Sequence, residues 1–524
     1  MQRAAFVDRA RAQKRPWDLV IIGGGANGVA IALDAAQRGL DVLLLEQHDF
    51  GSGTSSRSSK LIHGGIRYLA QGRLALVREA LAERSLLLAH APGLVQPLSC
   101  LMPAASRLEL WKFAAGLALY DKLAGAHGLA RSRRLDVDSA RRLAPQLTRR
   151  PLAGLVEYAD ARFDDTRLLF AMLRRAAAAG ATALNHLRVV DYLRDARGRI
   201  RGVVANDMLD GGSHEFEARL VVNAAGAQGD GLRRLATPDL PAQMLPSQGS
   251  HLVVPRRFFD SSHALVMPRT PDGRVMFALP WHGHVLLGTT DIALAAAPAE
   301  PRASEEEIDQ ILHVAQRYLH RAPRREDVTA VFAGVRPLAA APGSAASAKV
   351  SREHALLFDD NGLLSVSGGK WTTCRLVAEQ CVDLAVARVP LRAPASTTRT
   401  LELAGGASET VDALGFPARA LERLQAEQPT LAETLHPSLP YRGAHIVWAA
   451  RAEMAMTVAD ALAFHTRALF IDAAAALAAA PRAATLMAQE LERDPTWIAA
   501  ELAQMEQVAA RYALTPIRAR DTRG

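Results

Sequence analysis

One stretch of the sequence, WDLVIIGGGANGVAIALDAAQRGLDVLLLE at residues 17–46, restricts the possible folds more than any other. An apolar run typical of a buried strand leads into Gly23, Gly25 and Gly28, which fit GxGxxG, and a helical pattern follows. A second apolar strand ends on Glu46, whose carboxylate can accept hydrogen bonds from a ribose diol. This order predicts a Rossmann unit that binds a dinucleotide, with the pyrophosphate at the helix N-terminus.

Two later segments bear on which dinucleotide is bound, because FAD needs several parts of the chain to enclose it. Residues 217–229, EARLVVNAAGAQG, form a strand pattern that runs into small residues. In GLLSVSGGKWTT, residues 362–373, a strand reaches Gly369 and a helix begins near Thr372, so helix amides can face a reduced flavin ring. No second GxGxxG with strand and acid follows. The sequence therefore predicts FAD and no separate NAD(P)H domain.

The stretch SGTSSRSSKLIHGGIRYL, residues 52–69, crowds hydroxyl groups, glycines and cations into eighteen positions. Taken alone, it is typical of a second phosphate-binding loop. Since it follows Glu46 closely, we expect its first half, Thr54 to Lys60, to lie along the FAD pyrophosphate and the ring edge. We expect its second half, His63 to Tyr68, to turn toward the substrate.

Composition excludes several classes of protein. With 524 residues, 49% of them hydrophobic, the chain is long enough for about three domains. Three scattered cysteines, Cys100, Cys374 and Cys381, are too few for a disulfide framework or a closed zinc site, and we expect no metal. The start of the chain is too charged for a signal peptide, and the longest uncharged run contains three prolines, so we expect a soluble or peripheral protein. The net charge of +8 does not distinguish nucleic acid, anionic lipid and phosphorylated metabolites as ligands.

The middle of the chain is typical of an antiparallel sheet, and its end is typical of a helical domain. Residues 263–291 contain three short strand-like runs with turns at PDG and WHG, and Ser304 with Glu307 forms a capping box. After a linker rich in Pro, Thr and Gly, the residues from about 408 onward are rich in Ala and Leu at helical spacing. The sequence predicts a mixed α/β core, a mostly antiparallel domain and a C-terminal all-α domain to which we assign no chemistry.

Six short segments carry a family resemblance. VIIGGGANGVAIALDAAQRGLDVLLLE, GTSSRSSKLIHGGIRYL, VVNAAG, LLGTTD, GVRPL and SGGKWTT, in this order, resemble the FAD-dependent glycerol-3-phosphate dehydrogenases from about residue 17 to the end. The resemblance implies a glutathione-reductase-type FAD-binding domain interleaved with a substrate-binding sheet domain and followed by a helical domain. It also implies oxidation of sn-glycerol 3-phosphate to dihydroxyacetone phosphate, with electrons passed from FAD to a membrane quinone.

The resemblance implies domain boundaries as well. FAD-binding parts are expected at 17–90, 151–235 and 346–390, a cap or membrane-contact segment at 91–150, the substrate-binding sheet at 236–345 and the helical domain at 400–524. The chain departs from the family at Ala224 and Ala225, where many members have an ATG-type triplet, and at Cys374, where a tyrosine is common. Because alanine keeps a close approach to the cofactor possible, we expect FAD binding to survive.

The same resemblance implies the residues of the site. FAD contacts are expected at Gly23, Gly25, Asn27, Gly28, Glu46, Thr54, Ser55, Ser58, Ser59, Lys60, Val189, Ala225, Gly226, Gly369 and Thr372. The substrate phosphate needs a cationic clamp, and arginine suits it because its planar fork meets phosphate oxygens in pairs. Substrate contacts are expected at His63, Arg67, Tyr68, Arg336, Arg352 and Lys370.

A general base must accept the hydroxyl proton of the substrate. A suitable group titrates near neutrality, which disfavours arginine and leaves His63, His251 and Lys370. His251, in SQGSHLVVP, matches a family histidine near the substrate. We take His251 as the base and Lys370 as a substrate or transition-state contact, and Arg336 completes the expected catalytic set.

Residues 107–125, RLELWKFAAGLALYDKLAG, combine Trp111, Phe113, Leu117 and Tyr120 with two lysines. They predict either contact with a bilayer interface or an ordinary helix packed on the cap. With the quinone acceptor of the family, we expect a cytoplasmic homodimer at the inner face of the membrane, contact with anionic lipid and no nucleic acid. Two other functions stay open: a related FAD-dependent amine or amino-acid oxidase, and a catalytically silent flavoprotein that acts through its helical tail.

Overall fold

The computed structural model describes residues 1–148, 152–270, 274–339, 354–404 and 409–515, without the side chains of Arg67 and Ala70. The strands in these residues are β1 Trp17–Ile22, β2 Val42–Leu45, β3 Leu61–Ile62, β4 Val95–Ala104, β5 Arg133–Leu135, β6 Gly154–Phe163, β7 Thr182–Leu184, β8 Leu187–Arg194, β9 Ile200–Asp207, β10 Ser213–Asn223, β11 Met244–Pro255, β12 Ala264–Met267, β13 Met276–Trp281, β14 His284–Gly288, β15 Ile292–Ala293, β16 Ala330–Ala339, β17 Ala355–Phe358 and β18 Leu363–Ser367. The helices are α1 Arg3–Ala12, α2 Ala26–Gln37, α3 Ile66–Ala70, α4 Leu74–His90, α5 Arg107–Ala124, α6 Val137–Leu143, α7 Asp165–Ala178, α8 Gly229–Ala236, α9 Glu305–Tyr318, α10 Cys374–Arg388, α11 Ala418–Glu427, α12 Gly443–Glu453, α13 Ala468–Ile471, α14 Ala473–Glu490 and α15 Pro495–Ala509. A π-helix, Asp460–His465, precedes α13.

The first sheet contains the predicted nucleotide unit. Its order is β17-β18-β10-β1-β2-β7, it is parallel from β18 to β7, and β8 and β9 extend β10 as an antiparallel meander. Alternate residues of β1 pack on opposite sides, with Leu19 and Ile21 in the core of α2, α7 and α10 and Val20 in the core of the meander. A parallel strand covered on both faces needs this continuous apolar run, and the predicted α/β fold class is confirmed.

The second sheet is mostly antiparallel. Its order is β15-β11-β14-β13-β12-β4-β6-β3, with β16 paired to β11 and β5 to β6. The three strands predicted in 263–291 are confirmed as β12, β13 and β14, and α9 has the predicted capping box, whereas the PDG turn lies outside the described residues. The pairing of β11 with β16 puts His251 opposite Phe332 and Ser247 opposite Arg336, which brings two predicted catalytic residues onto neighbouring strands.

The second sheet also takes strands from parts of the chain that the predicted boundaries assign elsewhere. The boundaries place β4 and β5 in a cap segment and β3 and β6 in FAD-binding parts, whereas all four strands belong to the second sheet. β4 pairs with β6 from Val95 to Ala104, and β12 joins the other edge of β4. The chain therefore crosses between the sheets without a linker or a change of composition to mark each crossing.

The C-terminal helices form the predicted all-α domain. The alanine-rich α14 packs between α12 and α15, because its small side chains let neighbouring helices approach closely. The domain shares one apolar core with the second sheet, and the ring centroids of Phe470 and Phe332 are 4.8 Å apart. This shared core holds the helical domain against the sheet that bears His251.

Helix α5 confirms the helix predicted at 107–125 but does not present all of its apolar residues to solvent. Leu117 and Tyr120 are buried and the partly buried Phe113 packs against the core, so these three residues agree with the alternative of a packed helix. The exposed apolar residues of α5 are Leu108, Trp111 and Leu119. In the described part of the chain, a search for helices with the length and apolar character to cross a bilayer finds none.

Candidate active site

The turn between β1 and α2 leaves no room for side chains. Gly23 has a φ of 108°, and a Cβ there would lie 2.6 Å from the carbonyl oxygen of Ala224. A Cβ on Gly28 would lie 1.8 Å from the carbonyl oxygen of Gly23, and one on Gly25 would lie 3.0 Å from Ser55 Oγ. Ser55 Oγ accepts a hydrogen bond of 2.9 Å from the first amide of α2. A polar oxygen thus stands where a pyrophosphate oxygen would bind.

Glu46 follows β2 and accepts two backbone hydrogen bonds. Its Oε2 accepts from the N–H of Gly24 at 2.7 Å and its Oε1 from the N–H of His48 at 2.9 Å. Burial raises the pKa of Glu46, and the two amides oppose the rise. Because each carboxylate oxygen has a second lone pair, a ribose diol can add to these bonds. The N–H of Leu187, at the start of β8, donates to the carbonyl oxygen of Glu46, which brings Val189 within two residues of this point.

The turn between β18 and α10 adjoins the first turn. Gly369 has a φ of 83°, and a Cβ there would lie 3.7 Å from Asn27 Nδ2, which itself donates to the carbonyl oxygen of Gly368 at 3.4 Å. Trp371 Nε1 donates to the carbonyl oxygen of Ser55 at 2.9 Å. The N-termini of α2 and α10 and the segment after β2 therefore meet at one place.

The small residues after β10 differ in how closely they approach the first turn. The carbonyl of Ala224 makes the close approach to Gly23, whereas Ala225 donates its N–H to Asn223 Oδ1 at 3.3 Å. Gly226 has a φ of 55°, and no heavy atom lies within 4 Å of the position of a Cβ. The backbone conformation accounts for glycine at 226.

Two hydroxyl groups fasten segment 52–60 to the rest of the protein. Thr54 Oγ1 donates to the carbonyl oxygen of Val335 at 2.6 Å, and Ser58 Oγ donates to Asp165 Oδ2 at 2.7 Å. These bonds tie the segment to β16 on one side and to α7 on the other. The FAD contacts expected at Thr54 and Ser58 stay predictions. Both residues already donate their hydroxyl hydrogens to oxygens of the protein.

The ammonium of Lys60 forms a buried ion pair. Its Nζ donates to Asp165 Oδ2 at 2.5 Å and to the carbonyl oxygen of Ser56 at 2.7 Å, and its side chain is 1% exposed. The ammonium also lies 5.3 Å and 5.5 Å from the ring centroids of Trp281 and Phe332. Burial lowers the pKa of Lys60 to about 8, although Asp165 opposes the fall. The Lys60 ammonium thus neutralises a buried carboxylate, and the FAD contact expected at Lys60 stays a prediction.

Ser59 and His251 form a pair across the two halves of the protein. Ser59 Oγ and His251 Nε2 are 2.9 Å apart, and the imidazole stacks on Phe332 with ring centroids 4.9 Å apart. Burial, together with Lys60 and Arg336, holds the pKa of His251 well below its usual range. His251 is therefore a neutral imidazole at neutral pH, which is the form that a general base needs.

A second group of predicted residues meets at the start of α10. Lys370 Nζ lies 3.9 Å from the ring centroid of Tyr68, close enough for a cation–π contact. Thr372 Oγ1 accepts from the N–H of His63 at 3.4 Å and donates to its carbonyl oxygen at 3.5 Å. Segment 52–69 connects this group with His251, since Ser59 lies on the same segment as Tyr68.

Arg336 lies on β16 at the edge of the site. One of its terminal nitrogens donates to Thr289 Oγ1 at 3.0 Å and to the carbonyl oxygen of Thr290 at 3.1 Å, and the other lies 3.5 Å from Asp291 Oδ1. A Cβ on Gly249 would lie 2.3 Å from the guanidinium, so only glycine leaves space for it. The Arg336 side chain is 24% exposed, and an anion can reach it.

The structure places some of the predicted clamp but not all of it. Arg352 lies outside the described residues, and for Arg67 the description covers only a backbone position in α3, next to Tyr68. Arg336 and Lys370 are the clamp cations whose side chains the structure describes.

Asp165 is a residue of the site region that the sequence analysis missed. It holds Ser58 and Lys60 and begins α7 directly after Asp164, the N-cap residue of that helix. The acid pair in FDDTRLL, at a predicted helix start, is a signal that could have found it.

Two residues of the helical domain also reach the segment after β2. Arg467 donates to the carbonyl oxygen of Ser56 at 2.5 Å, and His465 Nε2 lies 2.8 Å from Asp49 Oδ2. About four hundred residues separate these partners in the chain, so no local spacing indicates the contacts.

Comparisons with known proteins agree with this architecture. The FAD dependent oxidoreductase family matches residues 18–384, and the C-terminal domain of alpha-glycerophosphate oxidase matches residues 407–497. The chain is 36% identical to a mitochondrial glycerol-3-phosphate dehydrogenase of Arabidopsis thaliana, over 91% of this chain and 84% of the relative. It is also 36% identical to a human mitochondrial glycerol-3-phosphate dehydrogenase, over 91% and 71%. The crystal structure of a glycerol-3-phosphate dehydrogenase from Bacillus halodurans complexed with FAD superposes with a TM-score of 0.77, at 28% identity and 99% coverage of both chains.

Proposed function

The chain belongs to the FAD dependent oxidoreductase family, with the C-terminal domain of alpha-glycerophosphate oxidase, and from this premise we propose that it oxidises sn-glycerol 3-phosphate to dihydroxyacetone phosphate and passes the electrons to a membrane quinone. One observation carries the proposal. Segment 52–69 begins at the pyrophosphate turn and contacts both a neutral histidine, His251, and the Lys370–Tyr68 pair. A base and a cation thus flank one site, as oxidation of a phosphorylated alcohol requires.

The residues present fit FAD. Gly23, Gly25 and Ser55 would hold the pyrophosphate, because a Cβ on either glycine would meet backbone or a hydroxyl oxygen. Glu46 would hold the ribose, and the turn at Gly369 would face the ring. Bound FAD supplies the acceptor for the hydride that leaves C2 of the substrate.

Arg336 and Lys370 would bind the substrate phosphate. Arg336 donates to two neutral oxygens and lies 3.5 Å from the Asp291 carboxylate, and a phosphate dianion is a stronger acceptor than the neutral oxygens. Lys370, held over the ring of Tyr68, would meet the phosphate or the developing carbonyl from the other side. Arg67 and Arg352 stay predicted members of the same clamp, and His251 would accept the proton of the hydroxyl group at C2.

Anaerobic addition of sn-glycerol 3-phosphate to the flavin-loaded protein tests the reaction. The flavin absorbance near 450 nm should bleach, and glycine or L-proline at the same concentration should leave it unchanged, since an amino acid offers no phosphate to the clamp. Flavin that stays oxidised with sn-glycerol 3-phosphate would contradict the proposed substrate. Bleaching by the amino acids would favour the amine-oxidase alternative.

Replacing Arg336 tests the clamp. Arg336→Ala should raise KM for sn-glycerol 3-phosphate by about ten- to a hundredfold, because a hydrogen bond to a charged group contributes about 1.5–3 kcal/mol. Arg336→Lys should recover part of the loss, and the flavin content should equal that of the unmodified protein. Loss of flavin from Arg336→Ala would show that this side chain serves the cofactor.

Helix α5 is the proposed membrane contact. Leu108 and Leu119 are 67% and 42% exposed, and the guanidinium of Arg134 lies 4.0 Å from the ring centroid of Trp111. Exposed apolar side chains next to cations suit an anionic bilayer surface. The proposed location is the inner face of the cytoplasmic membrane, where a quinone can be reached, and the homodimer stays a prediction.

Vesicle binding tests this surface. Leu108→Ala with Leu119→Ala should weaken binding to anionic vesicles at least about tenfold, because each buried leucine contributes about 1.5–3 kcal/mol. The matched control is Met208→Ala with Leu209→Ala, at a distant turn where these side chains are 52% and 38% exposed. Equal effects of the two double substitutions would contradict a specific membrane contact at α5.

A further inference from the structure

The imidazole of His251 has no open nitrogen in the described arrangement. The residue is 2% exposed, Nε2 lies 2.9 Å from Ser59 Oγ, and Nδ1 is buried without a hydrogen-bond partner among the described residues. Phe332 covers one face of the ring, and a Cβ on Gly288 would lie 2.4 Å from His251 Cδ2. The imidazole is tightly packed by these neighbours, so a substrate hydroxyl group cannot reach either nitrogen directly.

Ser59 stands between His251 and the site. Its side chain is partly exposed, unlike the histidine behind it. It belongs to the segment that carries Tyr68 toward Lys370, and the neighbouring Lys60 is held by Asp165, which fixes the backbone at this point. Its hydroxyl oxygen is therefore the polar atom through which the buried imidazole can exchange a proton with the site.

We propose that Ser59 is a catalytic residue that relays the substrate proton to His251. The inference rests on the proposed function. The O–H bond at C2 of the substrate breaks and its proton joins Ser59 Oγ, while the proton of Ser59 moves to His251 Nε2. The hydrogen on C2 leaves with its electron pair to oxidised FAD, and the carbonyl group of the product forms. Ser59 ends neutral, His251 ends as an imidazolium, and FAD is reduced by two electrons.

The charges around His251 suit a transient proton acceptor. Lys60 and Arg336 disfavour the imidazolium in the resting protein, so the base is unprotonated before substrate binds. A substrate phosphate on Arg336 offsets part of this repulsion and makes protonation of His251 easier when the proton must be taken up. After the reaction, the same cations favour release of the proton back through Ser59.

Anaerobic stopped-flow reduction of the flavin by sn-glycerol 3-phosphate tests the relay. Ser59→Ala and His251→Asn should each slow reduction by about 10²-fold or more, and the double variant should be no slower than either single one, because both changes break one proton path. Ser59→Thr keeps a hydroxyl group and should recover most of the rate, and Ser52→Ala is the control on the same segment. Losses that multiply in the double variant, or Ser59→Thr as slow as Ser59→Ala, would overturn the relay.

A second measurement does not depend on turnover. In ¹⁵N NMR spectra of the substrate-free protein at neutral pH, assigned by comparison with His251→Asn, the His251 Nε2 should be unprotonated and accept a hydrogen bond that Ser59→Ala removes. A protonated Nε2 would overturn the relay, since Ser59 could not then donate to it. If the flavin of the unmodified protein fails to bleach with sn-glycerol 3-phosphate while Nε2 is unprotonated, the proposed substrate is wrong and the Ser59–His251 pair still stands.

Discussion

Two buried histidines stack on phenylalanine rings in similar ways and titrate in opposite directions. His251 lies on Phe332 with ring centroids 4.9 Å apart and planes at 19°, and His465 lies on Phe170 with centroids 4.1 Å apart and planes at 27°. The two residues are 2% and 0% exposed. Burial lowers the pKa of both, and the pKa of His251 stays low, whereas that of His465 rises to about 9.

The charged neighbours account for this difference. His465 lies between two buried carboxylates, with Nε2 2.8 Å from Asp49 Oδ2 and Nδ1 3.2 Å from Glu453 Oε2. The nearest charges to His251 are the cations Lys60 and Arg336. Equal burial thus produces a permanent cation in one place and a neutral base in the other. Fixed charges, more than burial, separate His465 from His251, the proposed base.

The comparison also assigns a role to the helical domain. The cation at His465 holds Asp49, and Arg467 holds the carbonyl oxygen of Ser56, so two residues of this domain contact the segment that follows β2. This segment contains Ser55, which lies on the pyrophosphate turn. The helical domain therefore positions the segment that we expect to bind FAD.

Removing Glu453 should have the largest effect. Its carboxylate is fully buried and accepts from Arg167 at 2.7 Å on both oxygens, from Arg174 at 2.6 Å and from Trp448 at 2.9 Å. Glu453→Ala leaves the Arg167 guanidinium buried and unpaired, which costs about 3–5 kcal/mol of unfolding free energy. The melting temperature and the fraction of retained flavin should both fall sharply.

The control for this change is another ion pair in the same domain. Glu490→Ala breaks the pair with the half-exposed Arg451, whose Nε lies 2.8 Å from the carboxylate. Glu490→Ala should lower the free energy of unfolding by about 1 kcal/mol or less. If Glu453→Ala proves as mild as this control, the buried carboxylates do not hold His465 as a cation.

The second largest effect should be the contribution of the charged His465 to the pH dependence of stability. Its folded pKa of about 9 lies above the usual 6.5, so its contribution is complete below pH 6.5 and is lost as pH rises through 9. The difference between these two pKa values corresponds to about 3 kcal/mol of unfolding free energy. In His465→Gln, the melting temperature should be lower at pH 6 and should fall less between pH 6.5 and 9.5 than in the unmodified protein. An unchanged alkaline slope in this variant would mean that another group titrates there.

The two histidines also show what the sequence could predict. The nucleotide turn was predictable because Gly23, Gly25 and Glu46 lie within one local unit whose spacing is set by strand and helix geometry. The partners of His465 were not predictable from the sequence, since Asp49 lies near the other end of the chain. Only the packing of the domains brings the two residues together. The ion pair of Lys60 was not predictable for the same reason, because Asp165, which binds its ammonium, lies about a hundred residues further along the chain.

The positive charge of Lys60 should have a smaller effect. It lowers the pKa of His251, whereas the carboxylates around His465 raise the pKa of that residue. Lys60→Gln removes a cation that holds the pKa of His251 down, so this pKa should rise. In the flavin-reduction rate, the acidic limb should move to higher pH by the same amount. Lys60→Arg keeps the charge and should leave the limb where it is. A limb that does not move in Lys60→Gln would show that burial alone sets the pKa of His251.

Replacing the two stacked phenylalanines should give the smallest effect. The pKa changes should differ between His465 and His251. An aromatic face attracts a cation by about 0.5–1 kcal/mol, so Phe170→Leu should lower the pKa of His465, which is charged, by less than about one pH unit. Phe332→Leu should lower the pKa of His251 less, because Lys60 Nζ already lies 5.5 Å from the Phe332 centroid and interacts with the same ring. Histidine C2–H resonances followed by NMR between pH 5 and 10 measure both values. Equal downward changes at the two sites would mean that Lys60 does not weaken the interaction of Phe332 with the imidazolium of His251.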